Sequence, residues 1–326
     1  MSRSPQALWL GDQTPDRVAA EARTATEDAE RRGALPVLAL YNVPGRDCSQ
    51  YSAGGAGGTA DYRGWVEAVA RGVEGRRALI VLEPDSLALL PSECADGGGE
   101  LGRTRTEARY AEIAHAVRVL EAGAGTEVYL DAGNAGWHPV GRIVPRLRTA
   151  GVAGAAGFAV NVSNYLTDEA NAWYGTLISA CLAWSGRPGN DPAACPHQWT
   201  PKAEARRWLD THLTPELRRG MKHFVTDTSR NGRGPWTPPA GRWVDPQSWC
   251  NPPGRGLGAR PTTATGDPLH DAKLWIKTPG ESDGLCLRGT AGPEDPARGI
   301  RAPWAGQWFP QQALELADLA VPALDD

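Results

Sequence analysis

The stretch ALIVLEPDSLALL, residues 78–90, shows the pattern that decides the fold. Its first half is a continuous apolar run, which is typical of a strand buried on both faces of a parallel sheet. Carboxylate residues follow directly where the run ends. Further short apolar runs of the same kind predict strands at 6–10, 35–41, 127–131, 155–162, 223–227 and 273–277.

Helical periodicity lies between these runs. The clearest helical segments are 16–32 and 106–121, and others are predicted at 62–75, 167–183, 201–219 and 307–320. Strands that alternate with helices predict an α/β fold, a seven-stranded parallel β/α barrel of the TIM-like kind. An open doubly wound sheet is the alternative. No Ser/Pro/Thr-rich linker marks a second module, so we expect residues 1–326 to form a single domain.

The composition narrows the class of partner. The 326 residues carry a formal net charge of −4 and no basic stripe, so nucleic acid is not an expected partner. No apolar run is long enough for a transmembrane helix, and no membrane partner is expected. Thirteen Trp outnumber the seven Tyr and three Phe. Trp side chains often stack on flat ligands such as sugar rings, although most Trp are packed inside proteins. We expect a monomer.

Six cysteines without a C-x-x-C spacing favour disulfides over a zinc site, and hence a secreted, extracellular protein. Their number alone leaves the pairing open. The first ten residues, MSRSPQALWL, contain no signal peptide, so we expect a mature domain, a truncated chain or a late start codon. The six His are scattered without metal-ligand spacing, and neither a metal nor another cofactor is expected.

Polar and aromatic residues follow the predicted strands. In a parallel barrel the carboxyl ends of the strands meet at one mouth. A mouth rich in carboxylates and bordered by Trp suits glycoside hydrolysis, which needs one protonated carboxyl group for the leaving oxygen and one carboxylate that activates water or attacks. The residues concerned are Trp9, Tyr41, Asp47, Glu83, Asp85, Asp131, Asn161, Asp227, Lys277, Glu281 and Asp283.

Several of these carboxylates have a structural alternative. Asp131 and Asp227 could each cap the next helix. Asp47 could form a plain surface pair with Arg46. Glu83 is expected to lie in its strand and to be paired inside the barrel.

Other residues are harder to assign to either class. Lys277 and Glu281 could form a structural salt bridge. Asp85 is the least easily explained as structural, because Pro84 imposes an extended turn before it and Ser86 could provide a cap instead.

Eight motifs together resemble one family, the glycoside hydrolase family 6 cellulases. They occur in the family's order and cover nearly the whole chain. The resemblance implies a distorted seven-stranded barrel, an inverting mechanism and a β-1,4-glucan substrate. The matching stretches are YNVPGRDC (41–48), VLEPDSLALL (81–90), VYLDAGNAGWH (128–138), GFAVNVSNY (157–165), FVTDTSRNGRGP (224–235), WCNPPGRGLGARPT (249–262), LWIKTPGESDG (274–284) and AGQWFP (305–310).

The resemblance also implies roles for individual residues. Asp85 looks like the general acid, and Asp47 like the carboxylate that keeps Asp85 protonated and helps to position water. Asp283 looks like the base, with a water chain through Asp47 as the alternative. Tyr41 would crowd the sugar that is distorted.

Other residues resemble those that bind the glucan. Stacking platforms are implied at Trp9, Trp137 and Trp249, and hydrogen-bonding partners at Asn161, Lys277 and Glu281, with Asp131 supporting the site. The sequence departs from the family pattern at two positions. Asn134 stands where the family usually has a substrate-contacting His, and Ala53, next to Ser52, stands where the family often has Ser.

The resemblance implies two disulfides, Cys48–Cys94 and Cys250–Cys286, each tying neighbouring catalytic loops. Cys181 and Cys195 then remain and are near enough in sequence to close a local loop.

Two loops bear on where the chain is cut. Cellobiohydrolases of this family roof the cleft with two long loops, and endoglucanases leave it open. Residues 49–61 are short and Gly-rich, whereas 285–305 are longer and carry Trp304, which we expect to pack down on the barrel. We therefore predict an endoglucanase. A cellobiohydrolase and a catalytically weak glucan-binding protein are the alternatives.

Overall fold

A computed structural model describes residues 4–324 of the chain. Within them, seven strands form one sheet whose spatial order follows the sequence, and all neighbouring strands are parallel. This order confirms the α/β architecture and excludes the doubly wound sheet, in which the strand order reverses. The strands are β1 (Leu8–Leu10), β2 (Val37–Leu40), β3 (Ala78–Leu82), β4 (Thr126–Asp131), β5 (Gly157–Val160), β6 (His223–Asp227) and β7 (His270–Leu274).

The helices of this range lie between and after the strands, and most of them match the expected segments. They are α1 (Pro15–Arg31), α2 (Thr59–Val73), α3 (Gly99–Glu121), α4 (Val140–Thr149), α5 (Asp168–Trp184), α6 (Lys202–His212), α7 (Pro215–Arg219) and α8 (Pro310–Asp318). Residues 201–219 form two helices because Pro215 starts a new one, which the Thr214 hydroxyl caps. Helix α4 was not predicted, since it contains Pro145.

The sheet packs on both faces. Alternate residues of β2 show this: Leu38 and Leu40 belong to the large apolar core shared with the helices, whereas Ala39 belongs to a smaller core inside the curl. All three are fully buried. Burial on both faces is the reason why the strands appear in the sequence as continuous apolar runs.

The barrel is closed by contacts outside any strand ladder. In residues 4–324 no ladder joins β1 to β7. Instead Ala7 N donates to Trp275 O (2.9 Å), and the Trp9 indole N–H donates to Ile276 O (2.8 Å). This is the distorted barrel that the resemblance implied.

Strand β7 lies earlier in the chain than residues 273–277, where it was predicted. The Asp227 carboxylate accepts the backbone N–H groups of Ile276 (3.2 Å) and Lys277 (2.9 Å). The last residue of β7 that pairs in the sheet is Leu274. Beyond it, the backbone N–H groups donate to a side chain instead of to a neighbouring strand.

Disulfides connect the loops that follow the strands. Cys48 pairs with Cys94, Cys250 with Cys286, and Cys181 with Cys195, as expected. The Cys48–Cys94 bond ties the loops after β2 and β3, which carry Asp47 and Asp85. Within the described range, no helix is both long and apolar enough to cross a membrane.

Candidate active site

A cavity of about 510 Å³ lies at the carboxyl ends of the strands. It collects most of the expected site residues, namely Trp9, Tyr41, Asp47, Asp85, Asn134, Trp137, Trp249, Lys277 and Asp283. Asp131, which was expected to support the site, and two expected substrate contacts, Asn161 and Glu281, are not part of its lining.

Asp85 has the environment of a proton donor. Its backbone is left-handed (φ 66°), a strained conformation for a residue other than glycine and one that recurs at functional sites. Burial raises the pKa of Asp85 well above its ordinary value of 3.8, and the charges of Asp131, Asp47 and Asp283 raise it further, in that order. The carboxyl group can therefore stay protonated towards neutral pH.

Asp131 lies behind Asp85 and supports its loop. Its Oδ2 accepts the backbone N–H of Asp85 and of Gly133, both at 3.0 Å. The side chain is 1% exposed, and the next helix begins after Pro139, so the helix-cap alternative is wrong. Burial raises the pKa of Asp131 to about 7. Because Asp85 and Asp131 interact, they titrate together, and the two apparent pKa values belong to the pair rather than to either residue.

Asp47 faces the cavity with one free oxygen. Ser52 N donates to its Oδ2 (2.7 Å), and no hydrogen bond to Oδ1 occurs within residues 4–324. Burial raises the pKa of Asp47 above 3.8, while Ser52 and Arg46 oppose the rise. Arg46 forms its ion pair with Asp12 (3.0 Å), so the surface-pair alternative is wrong.

Asp283 is held on most sides. Arg230 Nη1 lies 3.0 and 2.9 Å from its two oxygens, Asn251 N donates to Oδ2 (3.0 Å), and the Tyr165 hydroxyl donates to Oδ2 (3.3 Å). Burial alone would lower the pKa of the fully buried Arg230, but Asp283 outweighs this and the pKa is raised.

Aromatic and cationic side chains form the rest of the wall. Trp9 meets Tyr41 edge to face at 5.5 Å, and Lys277 Nζ lies 5.9 Å from the Trp9 ring centroid. Burial, followed by the charges of Asp85 and Asp47, raises the pKa of Tyr41, so the phenol stays neutral. Trp137 stacks on His138 at 5.6 Å, and Trp249 is 37% exposed.

The side chain of Asn161 bonds to backbone groups. It is fully buried, its Nδ2 donates to Asp227 O (2.9 Å), and its Oδ1 accepts Leu166 N (3.1 Å). The contact with glucan that the resemblance implied stays a prediction. Asn161 holds the loop after β5 in place, and its left-handed backbone (φ 71°) fits that turn.

Two further carboxylates connect loops. Asp227 caps no helix; besides the two N–H groups after β7 it accepts Ser163 N and Ser229 N, both at 2.9 Å. Glu83 lies beyond the end of β3, where its Oε2 accepts Asn42 N (2.8 Å) and Val43 N (3.0 Å). The expected pairing of Glu83 inside the barrel is wrong.

Glu281 lies beside the cavity-lining residue Lys277, and its role as a substrate contact stays a prediction. It is half-buried, 3.9 Å from Lys277 Nζ, and it bridges by its backbone to Trp308. Lys277 Nζ lies equally far from Asp283 (3.9 Å). The structural salt bridge that the sequence offered as an alternative is thus at most a long one, shared between two carboxylates.

The loops after Asp47 and Asp283 touch, which the sequence did not predict. The Tyr51 hydroxyl accepts Leu287 N (2.9 Å) and donates to Gln247 Oε1 (3.2 Å). The short segment after Asp47 therefore reaches the opposite side. Trp304 is 55% exposed, so the expectation that it packs down on the barrel is wrong, and it does not line the cavity.

Sequence reasoning missed Arg230, Tyr165 and Trp236. Arg230 and Tyr165 lie inside two of the quoted motifs, FVTDTSRNGRGP and GFAVNVSNY, so the motifs contained the signal. Nothing in the sequence singled out Trp236, which lines the cavity. Within the part of the chain that the structure describes, no group of three His, Cys, Asp or Glu side chains could hold a metal ion.

Comparisons with known proteins agree with this geometry. The family model described as "Glycosyl hydrolases family 6" matches residues 1–320. "Endoglucanase A" of Cellulomonas fimi is 35% identical over 315 residues, which are 96% of this chain and 54% of the relative. The "Probable 1,4-beta-D-glucan cellobiohydrolase C" of Neosartorya fischeri is 31% identical over 328 residues, 90% of this chain and 64% of the relative.

Among solved structures, the endoglucanase Cel6 of Mycobacterium tuberculosis in complex with a thio-linked cellobioside is similar, with a TM-score of 0.75 and 37% identity. The match covers 98% of this chain and 87% of that one. The chain spans about half of the length of the Cellulomonas fimi relative (54%).

Proposed function

Because the chain belongs to glycosyl hydrolase family 6, we propose that it hydrolyses β-1,4-glucosidic bonds of cellulose-type glucans and inverts the anomeric carbon. The observation that carries this proposal is the raised pKa of Asp85 beside other carboxylates in a Trp-lined cavity. A neutral carboxyl next to an ionised one is what acid catalysis of glycoside cleavage requires.

The chemistry needs two carboxyl groups in opposite protonation states, one that donates a proton and one that accepts a proton. Asp85 donates its proton to the glycosidic oxygen as the C1–O bond breaks. A water molecule attacks C1 from the opposite face, and its proton passes to a carboxylate. Asp47 is the better acceptor, because it has a free oxygen at the cavity while those of Asp283 are engaged by Arg230, Asn251 and Tyr165. The carboxylate of Asp283 then balances the positive charges of Arg230 and Lys277.

The remaining lining residues position the glucan. Trp9, Trp137 and Trp249 provide apolar faces for sugar rings. Lys277 and Asn134 line the same cavity with polar groups for the sugar hydroxyls. Tyr41, neutral and packed against Trp9, crowds the sugar that must distort.

Early products test the reaction. Proton NMR during the first turnovers of cellopentaose should show α-configured product before mutarotation. Product that is β-configured at first would contradict inversion. Failure of the chain to cleave any soluble β-1,4-glucan would refute the function itself.

Alanine variants with azide test the choice of base. Asp47→Ala should lose turnover, and azide should restore part of it by replacing the activated water. Asp283→Ala should also lose activity, through the uncompensated charge on Arg230, but azide should not restore it. Rescue of Asp283→Ala alone would assign the base to Asp283.

We propose internal cleavage, as in an endoglucanase, because the loop after Asp47 is short and Trp304 does not cover the cavity. The contact of Tyr51 with Leu287 and Gln247 favours the alternative, a cellobiohydrolase, since it brings the two loops together. Viscometry on carboxymethylcellulose with reducing-end counting separates them. A steep viscosity loss with few ends supports internal cleavage, and ends without viscosity loss support the alternative.

The disulfides suit an oxidising compartment, and we propose that the protein acts outside the cell. We also propose that residues 4–324 form one catalytic domain and that the protein is a monomer.

A further inference from the structure

The connection between β6 and β7 reaches the cavity twice. At one end of the segment 235–249, which we call the aromatic loop, Pro235 and Trp236 line the cavity. At the other end Ser248 and Trp249 line it. Trp249 already has an expected role as a sugar platform, but Trp236 has none.

Trp236 is held by a cluster of rings and charge. Its ring lies 5.8 Å from that of Trp243, and the Arg288 guanidinium lies 4.8 Å from the Trp236 ring centroid. Arg288 is fully buried and pairs with the equally buried Asp295 through Nε (2.8 Å) and Nη2 (3.1 Å). A cation over an aromatic face is attractive, and more so when it is desolvated.

Arg288 also holds the backbone of the aromatic loop. Its Nη1 donates to Pro246 O and to Gln247 O (2.8 Å), and its Nη2 donates to Cys250 O (2.8 Å). A buried guanidinium is stable only when its donors are satisfied, so removing these acceptors would be costly. One buried residue therefore fixes both the ring of Trp236 and the far end of the loop.

This arrangement gives the segment 285–305 a task other than roofing the cleft. It supplies Arg288 and Asp295, which lie under the aromatic loop. A ring held in place before the ligand arrives loses little conformational freedom on binding, and such rings make good platforms.

We propose that Trp236 is a further sugar-stacking platform of the cavity and that Arg288 is the positioning residue that presents it. The proposal rests on the proposed function, because it names β-1,4-glucan as the ligand. The ring of Trp236 packs against Trp243 and Arg288, neither of which lines the cavity, so we place Trp236 at the edge of the cavity, where it takes a glucose unit away from the bond that is cut. Only chains longer than the central subsites can reach it.

Calorimetric binding tests the platform without turnover. In the Asp85→Asn background, Trp236→Ala should weaken the Kd for cellohexaose about tenfold, which corresponds to about 1.4 kcal/mol. The Kd for cellobiose should change less than about twofold, which is well under 1 kcal/mol by the same conversion. The matched control is Trp199→Ala, because Trp199 is 57% exposed and lies outside the cavity. That control should leave both Kd values unchanged.

Two further variants separate stacking from loop structure. Trp236→Phe keeps a ring over Arg288, so it should fold and weaken cellohexaose binding by a smaller factor than Trp236→Ala. Arg288→Lys removes the planar guanidinium and should weaken cellohexaose binding while sparing cellobiose. An unchanged cellohexaose Kd in both Trp236 variants would overturn the proposal, and so would an equal loss for both ligands. Absent hydrolysis by the wild type would instead refute the proposed function, since these binding constants do not depend on it.

Discussion

The substitution Asp131→Asn should move the alkaline limb of the pH–rate profile to lower pH. Asp131 is the largest charged contributor to the raised pKa of Asp85, after burial itself. Asparagine keeps an oxygen that can accept the N–H groups of Asp85 and Gly133, so the loop should stay in place. The removal of a negative charge makes ionisation of Asp85 easier. The acid is then lost at a lower pH.

The size of the shift follows from Coulomb's law. Two unit charges on the order of 6 Å apart interact by about 3 kcal/mol at an effective dielectric constant of about 20. That energy equals about two pKa units. The pKa of Asp131 is itself about 7, so it is only partly ionised at the limb, and Asp85 keeps a side towards the wet cavity. A displacement of about one unit is therefore the expectation.

The assay is kcat/KM on a soluble β-glucan between about pH 4 and 9, since this quantity reports the pKa values of the free enzyme. The control is Asp210→Asn, whose side chain is 81% exposed on the far helix α6, and it should leave the profile unchanged. An alkaline limb that stays in place in a folded Asp131→Asn protein would refute the reasoning. A limb that moves to higher pH would do the same.

Three further changes have defined outcomes. Asp85→Asn should lower turnover of carboxymethylcellulose by about a thousandfold, which is the usual contribution of a general acid. The calorimetric Kd for cellotetraose should stay within about threefold, because binding does not need the proton. Normal turnover would show that the acid is misassigned. Cys250→Ser with Cys286→Ser should lower the free energy of unfolding in guanidinium by about 3–4 kcal/mol, because the closed loop spans 36 residues; an unchanged midpoint would contradict this. Burial raises the pKa of Glu83 from 4.5 to about 7, so its stabilising contribution is full below pH 4.5 and is lost as the pH rises through 7. Glu83 alone accounts for about 3 kcal/mol of the loss over that range. Guanidinium unfolding at pH 4.5 and 8 should therefore show a loss that is smaller by about that amount in Glu83→Gln than in the wild type; equal losses in both proteins would rule Glu83 out as a cause.

Much of the site could be predicted from the positions of the carboxylate residues in the sequence. Asp47 and Asp85 each follow a strand of continuous apolar residues, Asp283 follows the predicted run 273–277, and all three line one cavity. The roles that the motifs implied for Asn161 and Glu281 stay predictions, because neither side chain lines the cavity. The side-chain amide of Asn161 forms hydrogen bonds with backbone groups, and Glu281 is not among the residues that line the cavity. A motif carries the identity of a residue but not the direction of its side chain.

The sequence by itself determined the sheet and the convergence of the strand ends. A strand buried on both faces must be apolar along its whole length, and parallel strands must end at one edge, so local composition suffices for both inferences. The pairing of Arg230 with Asp283, the bridge from Tyr51 to Leu287 and the place of Trp236 over Arg288 were decided only by the tertiary structure. Each joins residues distant in sequence, through loops with left-handed turns at residues such as Asp47 and Arg288. Such contacts depend on how the loops fold back on one another. The sequence periodicity of strands and helices carries no information on the path of a loop.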